Sequence, residues 1–297
     1  MNGPALITSE LLRGMPLPRP DEGGDKESRG RVLVVGGGRE TPGAVVLSGT
    51  AALRAGAGKL QVATVESNAA LVAASLPEAR VFALPETRAG ELSEAACVKL
   101  GEHLGEAQCV CLGPGLIEGE SVARFVEATL RMCRDVPVVL DAGAVACLNT
   151  AGEVLHALGG RAVVTPNADE LAEMYGEGFA AREGAHAAAR RAAEELRAVV
   201  VLKGKETFVA APGGETFVNR AGGVGLATSG SGDVLAGVIA GLVARGAEPL
   251  RAAAWGVYLH ALAGERLARR VGPLGFLARE LPAEIPSLMA ELSQAAE

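Results

Sequence analysis

The chain alternates short apolar runs with helical segments, and this alternation constrains its fold more than any other feature. Residues 32–35 form a continuous apolar run that ends at Gly36, as expected for a strand buried on both faces of a parallel sheet. Similar runs recur at residues 60–65, 81–84, 109–112, 138–140, 162–165 and 199–202. Helical stretches separate them, for example residues 43–56, 121–133 and 181–197. We therefore predict an α/β fold with one doubly wound, mostly parallel sheet flanked by helices.

The remaining segments complete this organisation. Residues 208–210 and 216–218 flank Pro212-Gly213-Gly214, which predicts a β-hairpin. The last third is helical, at residues 233–245, 250–269 and from 283 onwards. Because no linker or change of composition divides the chain, we predict an N-terminal arm or loop over residues 1–30 and a single α/β domain over residues 31–297.

Composition and charge exclude several classes of protein. Glycine accounts for 40 of 297 residues, but a hydrophobic content of 49% excludes a collagen, a flexible linker and a disordered chain. The formal net charge of −7 leaves no basic footprint for a nucleic acid. The five cysteines include no C-x-x-C pair, and the chain has neither a signal pattern nor an apolar run long enough for a membrane. We predict a cytoplasmic protein with reduced thiols and no membrane partner.

The glycines are concentrated at the ends of the predicted strands. In doubly wound folds, ligands bind beyond the carboxyl ends of the strands. Glycine or polar clusters follow five of these strands: Gly36-Gly37-Gly38, Gly113-Pro114-Gly115, Asp141-Ala142-Gly143-Ala144, Thr165-Pro166-Asn167 and Lys203-Gly204-Lys205. This placement predicts a binding site at that edge of the sheet.

The strongest single segment is the glycine-rich loop at residues 222–232, which opens a helix. Such a loop directs backbone N–H groups and the positive end of the helix dipole at a bound anion. Other glycine segments match no nucleotide motif. The glycines from Gly36 lack the third glycine of a dinucleotide fingerprint, and Gly58-Lys59 and Gly204-Lys205 lack the Ser or Thr that completes a Walker loop. Asp233 would repel a phosphate at the glycine-rich loop, but it fits a base that takes a proton from a hydroxyl attacking phosphorus. The alternative, that Asp233 only caps the helix, stays open at this point.

A set of motifs in a fixed order resembles the ribokinase-like superfamily and, within it, the NAD(P)H-hydrate dehydratases. The similarity extends from about Arg29 to about Pro286. The motifs are Gly30-Arg31-Val32-Leu33-Val34-Val35-Gly36-Gly37, Pro42-Gly43-Ala44, Ala51-Ala52-Leu53-Arg54-Ala55-Gly56-Ala57-Gly58, Gly113-Pro114-Gly115-Leu116, Leu140-Asp141-Ala142, Thr165-Pro166-Asn167 with Glu170, Leu202-Lys203-Gly204 with Thr207, and Gly230-Ser231-Gly232-Asp233-Val234-Leu235-Ala236-Gly237. Each motif is weak alone, whereas the full series in the family's order is specific.

The resemblance implies a lyase that dehydrates the S form of hydrated NADH or NADPH, driven by ADP or ATP. It implies that Asp233 is the catalytic base and also contacts the hydrate. The implied nucleotide contacts are Lys203, Gly204, Lys205, Glu206, Thr207, Gly230, Ser231 and Gly232. The implied hydrate contacts are Ala44, Gly115 and Asn167. It further implies a homo-oligomer, commonly a tetramer among relatives.

Two positions depart from the family pattern. The family usually has His where this chain has Asn167, and often has His-Lys where this chain has Asp25-Lys26. Asn167 and Glu170 instead match the N-x-x-E of superfamily sugar and vitamin kinases, in which the Glu helps to position hydrated Mg²⁺. We therefore predict Mg²⁺ near Glu170, held indirectly, with an early-helix role for Glu170 as the alternative. A kinase for a hydroxymethylpyrimidine or hydroxyethylthiazole alcohol remains the alternative function.

Overall fold

The computed structural model describes residues 3–19, 23 and 25–294. Residues 1, 2, 20–22 and 24 of the predicted arm, and 295–297 of the predicted domain, lie outside the described residues. The strands are β1 (Ala5–Leu6), β2 (Arg31–Val35), β3 (Lys59–Val65), β4 (Ala79–Leu84), β5 (Cys109–Leu112), β6 (Val138–Leu140), β7 (Ala162–Val164), β8 (Val199–Leu202), β9 (Thr207–Ala210) and β10 (Thr216–Asn219).

All ten of these strands form one sheet. Its order is β1-β10-β9-β8-β7-β6-β5-β2-β3-β4. Strand β9 runs antiparallel to both β8 and β10, and the other pairs are parallel. The predicted mostly parallel sheet and the predicted hairpin are therefore confirmed. Since β2 and β5 to β8 are parallel, the glycine and polar clusters after them meet at one edge of the sheet.

Helices cover both faces of this sheet. They are α1 (Ser9–Gly14), α2 (Pro42–Arg54), α3 (Glu66–Ser75), α4 (Cys97–Leu104), α5 (Glu120–Met132), α6 (Gly143–Ala146), α7 (Leu148–Ala151), α8 (Ala168–Tyr175), α9 (Phe179–Glu183), α10 (Ala185–Leu196), α11 (Ser231–Ala244), α12 (Pro249–Arg270) and α13 (Leu281–Ser293). The single helix predicted over residues 181–197 is wrong. Gly184 separates α9 from α10 because its φ of 80° lies outside the range of helices.

Alternate residues of each central strand point to opposite faces and so belong to different hydrophobic cores. Val32 and Val34 of β2 pack into a core with α2, α11, α12 and α13. Leu33 and Val35 pack into a second core with α4, α5 and α10. Below, these are called the α11 face and the α5 face. The continuous apolar runs in the sequence arise because each central strand is buried on both sides.

Helices α2 and α11 are packed backbone to backbone on the α11 face. A Cβ at Gly237 would overlap the carbonyl oxygen of Ser48, and a Cβ at Gly241 would lie 2.5 Å from that of Ala52. Gly237 and Ser48 are each the seventh residue of their helix, and Gly241 and Ala52 are each the eleventh. The two helices therefore run parallel and in step, and both begin at the edge where the glycine clusters meet.

The N-terminal arm is anchored to the same body. Strand β1 extends the sheet beside β10, and the indole N–H of Trp255 donates to the Met15 carbonyl at 2.8 Å. Arg251 likewise donates to the Pro16 carbonyl at 3.0 Å. The boundary between arm and domain stays a prediction.

Two further properties concern the cysteines and the helices. All five cysteines are free and buried. Of the helices within the described ranges, none has both the length and the apolar character that a membrane span requires.

Candidate active site

A buried ion pair lies at the carboxyl ends of β6, β7 and β8. The Lys203 ammonium donates to Asp141 Oδ1 at 2.8 Å, and the Thr165 hydroxyl donates to the same oxygen at 2.6 Å. Glu170 Oε2 lies 3.7 Å from Lys203 Nζ. These residues come from three adjacent strand ends, and their proximity depends on the strand order 8-7-6 that the sheet provides.

The electrostatics of this cluster keep Lys203 charged. Burial lowers the pKa of Lys203, but the charges of Asp141, Glu170 and Asp233 outweigh it and raise that pKa overall. Burial raises the pKa of Glu170, with Lys203 and the Asn167 N–H opposing the shift. A protonated lysine is thus held at the predicted phosphate-binding edge.

The N-terminus of α11 provides free backbone donors beside the ion pair. Gly230 is the N-cap, with φ of 86°, and no side chain caps this helix. The Ser231 N–H donates to the Thr228 carbonyl at 3.2 Å, whereas the N–H groups of Gly230, Gly232 and Asp233 donate to no other described residue. Three donors and a helix dipole converge there, as an anion site requires. Capping by Asp233, the alternative considered above, is not what the structure has.

Asp233 has the protonation behaviour of a base that works near neutral pH. Burial, and then the charge of Asp141, raise its pKa from 3.8 to about 7, with Lys203 opposing the shift. Its carboxylate accepts no hydrogen bond from another described residue, so it is free to contact a ligand. A carboxylate with a pKa near the working pH suits general base catalysis.

His260 of α12 contacts Ser231, the first residue of α11, and was not predicted as a site residue. Its Nε2 lies 3.0 Å from both the hydroxyl and the carbonyl oxygen of Ser231. Burial lowers its pKa to about 4, so the ring is neutral. Gly256 and Gly264, four residues on either side, mark the same helix face and were an available signal.

A cavity of 940 Å³ opens beside the glycine loop. The predicted nucleotide residues that line it are Lys203, Gly204, Lys205, Thr207, Ser231 and Gly232. Glu206, predicted with them, pairs instead with Arg220 at 2.6 Å. Asn167, predicted as a hydrate contact, also lines this cavity. The remaining lining comes largely from residues 219–228 and from α12.

The other two predicted hydrate contacts lie together near the start of α2. A Cβ at Gly115 would lie 2.9 Å from the Ala44 Cβ and 2.6 Å from the Thr41 carbonyl oxygen. The Gly38 N–H and the Thr41 hydroxyl both donate to the Gly115 carbonyl, at 2.9 and 2.6 Å. Gly115 has φ of 68°, so its left-handed conformation and the lack of space both call for glycine.

Asn167 and Glu170 form a capping box at the start of α8. Asn167 Oδ1 accepts from the N–H groups of Asp169 and Glu170, and Glu170 Oε2 accepts from the Asn167 N–H at 2.7 Å. Among the described residues, no group of three or more His, Cys, Asp or Glu side chains could hold a metal ion. Mg²⁺ often needs only one or two carboxylates besides water and phosphate oxygens. Glu170 therefore fits Mg²⁺ as an indirect ligand alongside a nucleotide.

Comparison with known proteins agrees with this geometry. The NAD(P)H-hydrate dehydratase family model matches residues 32–287. The chain belongs to that family. The ADP-dependent (S)-NAD(P)H-hydrate dehydratase of Xanthomonas campestris is 46% identical over 297 residues, covering 98% of this chain and 99% of that protein. The bifunctional NAD(P)H-hydrate repair enzyme of Moorella thermoacetica is 39% identical over 293 residues. The match covers 98% of this chain and 55% of that enzyme.

Solved structures agree as well. A ribokinase-like superfamily protein of Enterococcus faecalis superposes with a TM-score of 0.83 at 26% identity, covering 99% and 98% of the two chains. The Bacillus subtilis ADP/ATP-dependent NAD(P)H-hydrate dehydratase, co-crystallized with ATP/Mg²⁺, gives 0.81 at 30% identity, covering 98% and 99%. The predicted family and the predicted ribokinase-like fold are both confirmed. The match does not favour the alternative vitamin-alcohol kinase.

Proposed function

We propose that this family member restores NADH or NADPH from the S form of its hydrate, at the expense of ADP. The observation that carries the proposal is Asp233, with a pKa of about 7, directly beside the free N–H donors of Gly232 and of its own backbone. A base and a phosphate cradle in one place fit phosphoryl transfer to a hydroxyl. The names of the relatives supply the substrate.

The geometry supports the following sequence of steps. Asp233 takes the proton of the hydroxyl on the hydrated nicotinamide ring, and the hydroxyl oxygen attacks the terminal phosphorus of ADP, releasing AMP. The phosphorylated oxygen then leaves as phosphate, driven by the lone pair of the ring nitrogen. Loss of a proton from the adjacent ring carbon restores the double bond. Hydroxide is a poor leaving group, so phosphorylation makes dehydration possible.

The chain's own residues stabilise the charge that develops on the transferred group. The N–H groups of Gly232 and Asp233 are free of partners among the described residues at the N-terminus of α11, and Lys203 Nζ would lie 3.6 Å from a Cβ at Gly232, so all three could contact one phosphoryl group. Such preorganised donors act most strongly on charge that grows in the transition state. Glu170 would hold Mg²⁺ indirectly, and a bound Mg²⁺ would supply charge neutralisation to the phosphates.

The proposed function also assigns roles in binding and assembly. We propose Lys203, Gly204, Lys205, Thr207, Ser231 and Gly232 as nucleotide contacts, with Gly230 and Glu206 shaping the loops that present them. We propose Ala44, Gly115, Asn167 and Asp233 as hydrate contacts. A homo-oligomer, by analogy with the family, and a cytoplasmic location also remain proposals.

The test is a recovery assay. Purified protein is incubated with enzymatically hydrated NADH and with ADP or ATP, and the absorbance of reduced nicotinamide is followed. The proposal expects recovery with ADP, formation of AMP, and a loss of about 10³-fold or more in turnover for Asp233→Asn with ADP binding retained. Phosphorylation of a vitamin alcohol without any recovery of NADH would contradict it.

A further inference from the structure

We propose that Asp141 is a positioning residue that holds the Lys203 ammonium against the phosphate loop, so that Lys203 acts on the transferred phosphoryl. The proposal rests on the function proposed above and adds a residue to its machinery. Lys203 was already predicted as a nucleotide contact, whereas Asp141 was noted only as part of a motif at a strand end.

The ion pair is asymmetric. The side chain of Asp141 is 3% exposed and that of Lys203 is 23% exposed. Asp141 Oδ1 receives two donors, the Lys203 ammonium at 2.8 Å and the Thr165 hydroxyl at 2.6 Å. A lysine ammonium has three donors, and Glu170 Oε2 at 3.7 Å is too distant for a hydrogen bond. Donors of Lys203 therefore remain for a ligand in the cavity that it lines.

Gly232 brings this pair into contact with the phosphate loop. A Cβ at Gly232 would lie 3.4 Å from Asp141 Oδ2 and 3.6 Å from Lys203 Nζ. The ion pair therefore lies against the backbone of Gly232, at the N-terminus of α11. An ammonium fixed there would lie beside the same phosphate as the Gly232 N–H, since Lys203 and Gly232 both line one cavity.

The backbone around Asp141 is held in an unusual shape. Ala142 has φ of 50° and ψ of −129°, a conformation that side-chain-bearing residues rarely adopt. A Cβ at Gly113 would overlap the Asp141 carbonyl oxygen, and a Cβ at Gly143 would overlap that of Leu116. The strained turn lies between these two glycine contacts and directly follows Asp141. It therefore helps to orient the Asp141 side chain towards Lys203, which follows β8. Strain retained at such a point indicates a functional constraint.

A purely structural role explains these features less well. Buried ion pairs contribute little net stability, because the cost of removing two charges from water offsets their attraction. An apolar pair of similar volume would fill the same space without that desolvation cost. The arrangement is explained if the position of the ammonium matters, since a shift of about 1 Å can lower a rate about 100-fold.

A double-mutant cycle tests the proposal. The variants are Asp141→Asn, Lys203→Met and the double variant, compared with the wild type for kcat/KM in the recovery assay and for the Kd of ADP by calorimetry. We expect about a 30-fold loss of kcat/KM for Asp141→Asn and about 10³-fold for Lys203→Met. Because Asp141 acts through Lys203, the double variant should match Lys203→Met within about twofold.

Three results would overturn the proposal: wild-type kinetics in Asp141→Asn, additive losses in the double variant, or no change in ADP affinity for either single variant. If Asp141→Asn does not fold, Thr165→Val replaces it in the cycle. That change removes the other donor to Asp141 Oδ1, and its smaller loss should also disappear on the Lys203→Met background.

The control and the second readout separate the possible failures. Glu120→Gln removes a carboxylate from an exposed α5 pair, with Arg124, and should leave every measured constant unchanged. If the wild type restores no NADH, the proposed function fails. The cycle on ADP affinity still decides whether Asp141 acts through Lys203, because it needs no turnover.

Discussion

The two faces of the sheet are packed in different ways. On the α11 face, helices approach through glycine, as where Gly237 meets the Ser48 carbonyl and Gly256 meets Ile239. On the α5 face, large side chains such as Leu100, Phe125 and Leu130 fill the space between helices and sheet. Both faces are closely packed, but only on the α11 face do glycine contacts fix the distance between two helix backbones.

This difference matters because of where the helices begin. Helix α2 starts beside Gly115 and Ala44, and α11 starts at the phosphate loop that ends in Asp233. Contacts at the seventh and eleventh residues of both helices fix these two starts relative to each other. We therefore expect changes on the α11 face to alter catalysis, and changes on the α5 face to alter stability alone.

The largest expected effect is on stability, from Phe125→Ala on the α5 face. Phe125 is fully buried, and its truncation should lower the free energy of unfolding by about 4 kcal/mol. Urea denaturation measures the loss. The KM values of the folded fraction at low temperature should equal those of the wild type, and a raised KM for the hydrate would contradict the division between the faces.

Next comes Gly237→Ala on the α11 face. The new methyl group overlaps the Ser48 carbonyl oxygen, so the helices must separate at a cost of about 2 to 3 kcal/mol in unfolding free energy. Since the separation also moves Asp233 relative to Ala44, kcat/KM should fall about 10- to 100-fold.

The matched control for that change is Gly101→Ala in α4. Its Cβ would meet only Met132 Sδ, at 3.7 Å, so the substitution should be neutral or stabilising by a few tenths of a kcal/mol. If both alanines leave kcat/KM unchanged, the helix contact does not control the geometry of the site.

Changing the pH should produce the third effect. Asp233 must be ionised to act as a base, so kcat/KM should decrease about tenfold for each pH unit below its pKa of about 7. Because folding raises this pKa above 3.8, the folded state binds the proton more tightly, and stability should decrease as pH rises from about 4 to 7.

Asp233→Asn should remove that pH dependence of stability and make the protein more stable than the wild type at pH 8. On the α5 face, burial raises the pKa of Cys133 to about 12, so its thiol should not react over the same pH range. Thermal unfolding and thiol labelling at pH 5 to 8 check both statements. A pH-independent kcat/KM would exclude Asp233 as the base.

The smallest expected effect is a gain in stability from Ala142→Gly. Glycine relieves the strain of φ 50° and ψ −129°, and its greater freedom in the unfolded chain offsets part of the gain. We expect about 1 kcal/mol of added stability in urea denaturation, with kcat/KM within twofold of the wild type. A loss of stability would mean that the turn is not strained.

The sequence predicts most of this architecture for a clear physical reason. Strands buried on both sides are apolar throughout, so β5 and β6 were predicted at their observed bounds. Strand β1 was missed because two exposed residues carry no such pattern. The helix break at Gly184 was missed because an isolated glycine does not reveal its φ.

The site shows a similar limit. Residues 222–233 are contiguous, so the loop and Asp233 could be recognised directly. The pairing of Asp141 with Lys203 depends on strand order, and the support of Ser231 by His260 depends on how α12 packs. Both are relations between distant parts of the chain. Composition and spacing do not specify them.

The parallel contact between α2 and α11 also bears on the order of folding. Arg245, just after α11, donates to the carbonyl of Ala55, just after α2, across 190 residues of sequence. Contacts of such long range form slowly, since a large loop must close before they are made. During synthesis, α2 therefore cannot pack against α11 until most of the chain has left the ribosome. The base and both binding regions are brought together late, so a partly synthesised chain holds no assembled site.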